Sequence, residues 1–272
     1  MNENEKLEAE LLLQAIYQKY GYDFRSYAKA SIRRRIKKHQ AVSGFASISA
    51  MQHELIHNEQ FFTTLLKELT VNVTEMFRDP DYFFSFRNQV IPVLAEKDHI
   101  QIWHAGCASG EEVYSMAIML EEEGLAGRYR IYATDTCSEA LNVAREGIYP
   151  VAIMQEGSVN YQKAGGRRSL SEYYTAHYDH VVMADRLKAN LVFSEHNLVT
   201  DAVFSEMDCV VCRNVLIYFS RVLQDRVFKL FYDALPGGGF LFLGSKEHVR
   251  FSNLADKFVK VCGNEKIFKK VG

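Results

Sequence analysis

The sequence predicts an α/β protein: a mainly parallel sheet with helices on both faces, preceded by an all-α N-terminal segment and interrupted by a small antiparallel β-subdomain. Three observations predict it. Up to about residue 95, apolar residues recur at helical spacings of three and four. From about residue 99, short β-prone runs alternate with helical ones, the order of a parallel sheet with crossover helices. Between about residues 147 and 190 that alternation breaks, and Tyr173-Tyr174-Thr175 and His180-Val181-Val182-Met183 read as two antiparallel strands around a tight turn.

The elements follow in order. Leu7, Leu11, Ala15, Ile16 and Lys19 mark a first helix. A second runs from about Ser26 to Gln40 with Ile32 and Ile36 facing inward, and a third from Ile48 to His57. A fourth runs from Phe61 to Leu69, where Phe61, Leu65 and Leu69 share a face. A fifth starts after Asp79-Pro80, since proline suits the first helical turn, and carries Phe83, Phe84, Phe86 and Val90. Ile100-Gln101-Ile102-Trp103 is a strand, followed by a glycine-containing turn and a helix from Glu111 to Glu122. The next strand, Tyr129 to Ala133, ends at Asp135, and Ser138 is expected to cap a helix to about Arg145. Leu191-Val192-Phe193 and Asp208 to Cys212 are further strands. A helix from about Arg221 to Leu235 is broken by Pro236-Gly237-Gly238-Gly239, and the strand Phe240 to Leu243 follows. Phe258 to Cys262 and Lys266 to Phe268, around Gly263-Asn264, add an antiparallel edge.

Composition bounds the function. The 272 residues suit one large domain or two modest ones, with ample apolar material for a core. The formal net charge of −2 argues neither for nor against nucleic acid, so an electrostatic partner must meet a local patch. The polar, acidic start Met1-Asn2-Glu3-Asn4-Glu5-Lys6 has no secretory pattern, and no apolar run approaches the ~20 residues of a membrane span. A cytoplasmic protein without membrane insertion is expected. The five scattered cysteines suit free thiols in a reducing compartment. Cys209 and Cys212 enclose two valines with no second pair, so they read as a buried strand and not as a metal site.

The chemistry concentrates first in Trp103 to Glu112. A strand, a small-residue turn and a helix form the usual seat of a nucleotide-like ligand in an open α/β sheet, and Gly106 and Gly110 let backbone approach closely. The turn, Gly106-Cys107-Ala108-Ser109-Gly110, is neither G-x-G-x-x-G nor a P-loop. Glu111 and Glu112 stand where a phosphate would sit; they would repel pyrophosphate but could pair with the ammonium of an amino-acid-like ligand. That tilts the reading toward S-adenosylmethionine over a dinucleotide. A tight turn with acids suiting the helix dipole accounts for the same residues. Asp135, at the end of the second strand, is placed to accept from ribose hydroxyls, or else belongs to a helix cap near Ser138. In Ser31-Ile32-Arg33-Arg34-Arg35-Ile36-Lys37-Lys38-His39 the cations interleave with two inward isoleucines, as on a helix with one buried face; a solvated cationic face and a phosphate grip remain open beside a docking role.

Five segments, in order along the chain, carry a resemblance. They are Val71-Asn72-Val73-Thr74-Glu75-Met76-Phe77-Arg78-Asp79, Gly106 to Glu112, Ala133-Thr134-Asp135, Phe193 to Leu198, and the most specific, Cys212-Arg213-Asn214-Val215-Leu216-Ile217-Tyr218-Phe219. From about Tyr20 to Phe268 the chain resembles the chemotaxis receptor glutamate methyltransferases, the CheR family. The resemblance implies a Rossmann-like class I methyltransferase sheet in residues 81–272, with the inserted β-subdomain at about 147–190, behind a helical substrate-docking domain with linker in residues 1–80. It implies that Asn72, Thr74 and Arg78 close over S-adenosylmethionine, that Gly106 belongs to the cofactor loop, that Glu112 binds the amino-acid end and Asp135 the ribose, and that Asn197 and Leu198 line the adenine region. Arg213, Asn214 and Tyr218 would sit near the sulfonium and the entering carboxylate, with Arg78 and Tyr218 the catalytic pair. From the residues alone, Arg78 could equally be an exposed cap and Tyr218 a buried aromatic on an apolar turn.

The implied activity is protein-glutamate O-methylation, giving a methyl ester and S-adenosylhomocysteine. The donor methyl is activated by its positive sulfur and a glutamate carboxylate is a nucleophile at neutral pH, so alignment and exclusion of water suffice. No general base, metal or covalent intermediate is expected. Arg33, Arg34, Arg35 and Lys37 would dock the acidic methylation helices of chemoreceptor-like cytoplasmic domains, acting as a monomer and without nucleic acid. The chain departs from the family at Val113, where a proline is usual, and at Gly244-Ser245-Lys246-Glu247-His248, where G-H-S-E-N is common, near the substrate mouth. The turn around Ala176-His177-Tyr178-Asp179 is short, so tight tethering of a receptor C-terminal peptide is not expected. A methyltransferase for another acceptor lacks support from an Asp/Asn-Pro-Pro-Tyr/Phe motif, since Cys212-Arg213-Asn214-Val215 takes its place; a cofactor-sensing module without turnover is the alternative of a different class.

Overall fold

A computed structural model describes residues 1–25, 27–69, 74–261 and 263–271. The chain divides into two compact units, Met1–Val71 with Leu216–Arg226, and Asn72–Val215 with Val227–Gly272.

The first unit holds α1 (Glu3–Tyr20), α2 (Lys29–Ser43), α3 (Ile48–His57) and α4 (Glu59–Leu69). A capping box between Asn2 and Glu5 starts α1, and Gly21, at φ 77°, ends it. The inward stripe of α1 is Ala9, Leu12, Leu13 and Ile16, which packs among Ile32, Ile36, Met51, Leu55 and Leu65. The marker residues Leu7 and Leu11 are 58% and 48% exposed: both lie on the helix but off its buried stripe. The expected start of α2 at Ser26 lies outside the described residues, and Tyr27 and Ala28 stand before the helix. Tyr27 forms an antiparallel bridge to Phe219, and Ala28 N donates to Tyr218 O at 2.7 Å.

The second unit opens with α5 (Pro80–Gln89) and α6 (Ile91–Leu94). Then come β1 (Ile100–Ala105), α7 (Glu111–Glu122), β2 (Tyr129–Asp135), α8 (Ser138–Glu146), β3 (Ile148–Pro150), α9 (Val151–Lys163), β4 (Tyr174–His177), β5 (His180–Met183), α10 (Asp185–Lys188) and β6 (Leu191–Glu195). It closes with β7 (Cys209–Cys212), the part of α11 (Arg221–Ala234) from Val227 onward, β8 (Phe240–Leu243), β9 (Phe258–Lys260) and β10 (Ile267–Lys270); the start of α11 groups with the first unit. The main sheet has the order β6-β2-β1-β7-β8-β10-β9. β6, β2, β1, β7 and β8 run parallel, and β10 and β9 add the antiparallel edge that the terminal hairpin predicts. α7 is buried along nearly its whole length, as a helix packed between layers must be.

The insertion is a separate sheet, β3-β5-β4, with a two-residue turn, Tyr178-Asp179, between β4 and β5. It also holds α9, which the sequence pattern does not announce. Only Met154, Gly157 and Tyr161 of that helix are buried, a stripe too narrow to read as amphipathic. Gly157 is required there, since a Cβ would stand 2.7 Å from Met76 Cβ. Ser138 is not the cap of α8. Cys137 holds the cap position, its N–H donates to Asp135 Oδ1 at 3.0 Å, and the Ser138 hydroxyl bonds to Glu195. Phe84, grouped above with the inward phenylalanines of α5, is 51% exposed.

Candidate functional site

β1 and β7 are neighbours at the point where the strand order turns back, and ligands of open α/β sheets bind beyond the carboxyl ends of such strands. The loop after β1 is held against β2. Gly106 N and Cys107 N both donate to Thr134 O, at 2.8 and 2.9 Å, and Ala108 N donates to Asp135 Oδ2 at 2.9 Å. Gly106, Ala108 and Gly110 all have positive φ. A Cβ on Gly106 would meet Val215 Cγ2 at 2.5 Å, and one on Gly110 would meet Ala144 Cβ at 2.8 Å. The two glycines therefore let protein segments close on each other, a different use from the ligand approach that the sequence suggests.

Glu112, in the first turn of α7, accepts from Arg213 Nη1 at 2.5 Å. Arg213, just past β7, also donates from Nη2 to Asp79 Oδ2 at 2.6 Å and from Nη1 to the Arg78 carbonyl at 3.3 Å. Its guanidinium lies 3.9 Å from the centroid of the Tyr82 ring. The Arg213 side chain is 2% exposed and Glu112 nearly buried, while Asp79 reaches the guanidinium from the exposed side. Burial pushes the Glu112 carboxyl up, against the pull of Arg213 and Arg78. The acids and Tyr82 around Arg213 outweigh its desolvation and hold it charged. His104 Nδ1 is 3.9 Å from Glu112 Oε1, but burial and Arg213 push that imidazole down to about 3, so it is neutral. Glu111 takes no part in the cluster: it accepts from Ser109 Oγ at 2.7 Å, and burial raises it to about 6.

The turn after β7 is clamped by Glu247. Its Oε2 accepts from Asn214 N at 3.0 Å and Gly244 N at 2.6 Å, and its Oε1 from Val215 N at 2.9 Å. This anchors Asn214 at φ 62°, a conformation asparagine tolerates better than most residues. Gly244 allows the approach, since a Cβ there would lie 2.8 Å from Asn214 N. Beyond β6, Asn197 Oδ1 accepts from Val199 N at 2.9 Å in a local turn, and Leu198 is buried. Burial raises Asp135, against the backbone N–H groups of Ala108, Cys137 and Thr136.

The second unit thus brings Arg78, Glu112 and Arg213 together and ties Gly106 to Asp135 through the loop. Thr74 is half-buried on the segment leading to α5, and Asn72 lies outside the described residues. Tyr218 groups with the first unit, where Arg35's guanidinium lies 4.8 Å from its ring centroid. The basic stretch of α2 is largely engaged: Arg33 pairs with Glu10 at 3.0 Å and Lys37 with Glu5 at 2.7 Å. Arg34 is exposed and has no ion-pair partner among the described residues. Two site residues carry no role in the sequence reading. Asp79 sits beside Arg78 at a proline-started helix, and Glu247 follows Gly244 by three residues, the reach of a carboxylate onto a turn's N–H.

The geometry can be set beside known proteins. Residues 7–70 match the family model "CheR methyltransferase, all-alpha domain", and residues 72–267 match "CheR methyltransferase, SAM binding domain". This chain belongs to the CheR methyltransferase family. A Pseudomonas putida protein named as a methyltransferase, Cher3, is 49% identical over 98% of both chains. Chemotaxis protein methyltransferases of Listeria innocua and Salmonella typhimurium are 31% and 29% identical, covering 84% and 91% of this chain and 85% of each relative. The CheR-family chain is an S-adenosylmethionine-dependent methyltransferase with a Rossmann-like class I sheet.

The residues present fit that cofactor. Glu112 Oε1 is an acceptor beside the Arg213 bond, suited to an ammonium. Arg213 Nε and His104 Nε2 are buried polar atoms without a hydrogen-bond partner among the described residues. No helix of the described residues is long and apolar enough to cross a membrane.

Proposed function

We propose that this chain methylates glutamate side chains of chemoreceptor-like proteins to methyl esters by direct in-line transfer. The observation that carries the reading is the makeup of the cluster: Arg213, Glu112 and a neutral His104 of very low basicity inside, with the exposed Asp79 at its edge. Both acids bond Arg213, and the Glu112 oxygen left over suits an ammonium, so no group of the cluster is a ready base and it favours an acceptor that brings its own nucleophile. A glutamate carboxylate does, with an ordinary pKa of about 4.3. The names of the Listeria and Salmonella relatives support a chemotaxis setting.

Bound S-adenosylmethionine supplies a methyl group already activated on a positively charged sulfur. The chain's own residues bind and orient. Glu112 and Asp135 hold the amino-acid and ribose ends, Asn197 and Leu198 line the base, and Asn72, Thr74 and Arg78 close over the site. Arg213 and Asn214 form the wall beyond β7. Arg78 steers the incoming carboxylate, without gripping it so tightly that the charge lost in the transition state is missed. Tyr218 orients the carboxylate through its hydroxyl. Residues 1–80 dock the substrate and residues 81–272 catalyse, in the cytoplasm and as a monomer. The two-residue turn between β4 and β5 supports a subdomain that does not tether a receptor peptide.

Methyl transfer from radiolabelled cofactor to purified receptor cytoplasmic domains tests this. Base-labile label released as methanol is expected; alkali-stable label overturns the glutamate assignment. For docking, Arg34→Glu is expected to raise the KM for the receptor domain with cofactor affinity unchanged. An unaltered KM returns α2 to a solvated cationic face.

A further inference from the structure

Arg35 belongs by sequence to the cationic run of α2, yet its side chain behaves unlike that of a docking cation. Its guanidinium lies 4.8 Å from the Tyr218 ring centroid, and Nη1 donates to the carbonyls of Glu68 and Leu69, the last residues of α4, at 3.4 and 3.3 Å. Arg33 and Lys37 turn instead toward acids of α1, and Arg34 is exposed. Tyr218 closes a short 3-10 turn, Leu216–Tyr218, and its carbonyl accepts from Ala28 N at 2.7 Å. Ala28 is the residue that leads into α2, and Arg35 lies two turns inside that helix. Tyr218 is therefore held twice, by its backbone at Ala28, just before α2, and by its ring at Arg35, within it. The neighbouring bridge from Tyr27 to Phe219, with rings 4.9 Å apart, fixes the same segment.

We infer that Arg35 is a positioning residue for Tyr218: braced by the end of α4, its guanidinium fixes the ring whose hydroxyl orients the acceptor carboxylate. The inference rests on the reading that Tyr218 meets the acceptor, and it removes Arg35 from the docking set. A planar guanidinium can stack on a ring while bonding carbonyls in its plane; an ammonium does only one well. A partly exposed contact of this type changes an equilibrium by about 2-fold to 30-fold.

The test uses the full chain with S-adenosylmethionine and a purified chemoreceptor cytoplasmic domain. Steady-state constants are measured for Arg35→Ala, Arg35→Lys, Tyr218→Phe and the double variant Arg35→Ala with Tyr218→Phe. Arg35→Ala is expected to lower kcat by about tenfold with receptor KM changed by less than about twofold. Arg35→Lys should recover part of the loss, and Arg35→Ala should add little in the Tyr218→Phe background. A raised KM with unchanged kcat, or multiplying effects in the double variant, overturns the inference. If Tyr218→Phe leaves kcat intact, the role of Tyr218 fails and the inference falls with it. The contact has its own readout: the Tyr218 ring signal in protein with isotope-labelled tyrosine, assigned by its loss in Tyr218→Phe. A signal unshifted in Arg35→Lys overturns the contact itself, even if Arg35→Ala does not fold.

Discussion

Arg213 Nη1 lies 2.5 Å from Glu112 Oε2, joining the end of β7 to the first turn of α7 across 101 residues of sequence. The pair is where the two central strands meet the site, and it is nearly sealed from solvent. Breaking one side of such a pair leaves a buried charge alone. Arg213→Met is expected to destabilise the fold by on the order of 3–5 kcal/mol, read as the shift in urea unfolding. Adding Glu112→Gln should return part of that loss. Equal stability of the single variant and the parent would show the pair to be energetically idle.

Asp135 serves two masters, the loop amide of Ala108 and the cap amide of Cys137. Asp135→Ala is expected to weaken S-adenosylmethionine binding by about 1–3 kcal/mol in calorimetry, the range for polar partners left unmade. Asp135→Asn, which keeps one oxygen acceptor, should lose less. Unchanged affinity in both variants would remove Asp135 from the site.

The Glu247 carboxylate accepts three backbone N–H groups and anchors a positive-φ asparagine. Glu247→Gln turns one acceptor oxygen into a donor facing donors. A loss of about 1–3 kcal/mol in unfolding free energy is expected, together with reduced kcat/KM, because the Arg213-Asn214-Val215 turn loses its anchor. A variant as stable and active as the parent would mean that the strands alone hold that turn.

Glu111 gives a pH signature. Burial raises its pKa from 4.5 to about 6. A carboxyl raised in the folded state contributes stability fully below the unfolded value, lost as pH rises through the folded one. That rise is worth about 2 kcal/mol. The stability of Glu111→Gln minus that of the parent should therefore climb by about 2 kcal/mol between about pH 4 and about pH 7.5. Titration of His104 is common to both proteins and drops out of the difference. A flat difference would place Glu111 in a wetter setting than its burial implies.

Local pattern carried much of the architecture. The third helix, Ile48–His57, and the strand Phe240–Leu243 have the bounds that their periodicity predicts, because helix and strand repeats are properties of neighbouring residues. The loop after β1, the end of β2 at Asp135 and the turn at Arg213 were legible as segments, since strand–turn–helix joints have local composition. α9 was not legible, because three buried residues in thirteen leave no amphipathic signal.

The sequence by itself determined the chain order of the main-sheet strands, the parallel sheet with its antiparallel edge, and the candidate segments of the site. Tertiary structure alone decided how those segments use their side chains: Leu7 and Leu11 on the outer face of α1, Gly106 against Val215, Arg35 on Tyr218, and Asp79, Glu112 and Glu247 as partners of the β7 turn. The reason is physical. A repeat says which way a side chain leaves its own helix or strand, but a charge pair bridging more than a hundred residues exists only once crossover connections have laid β7 beside β1.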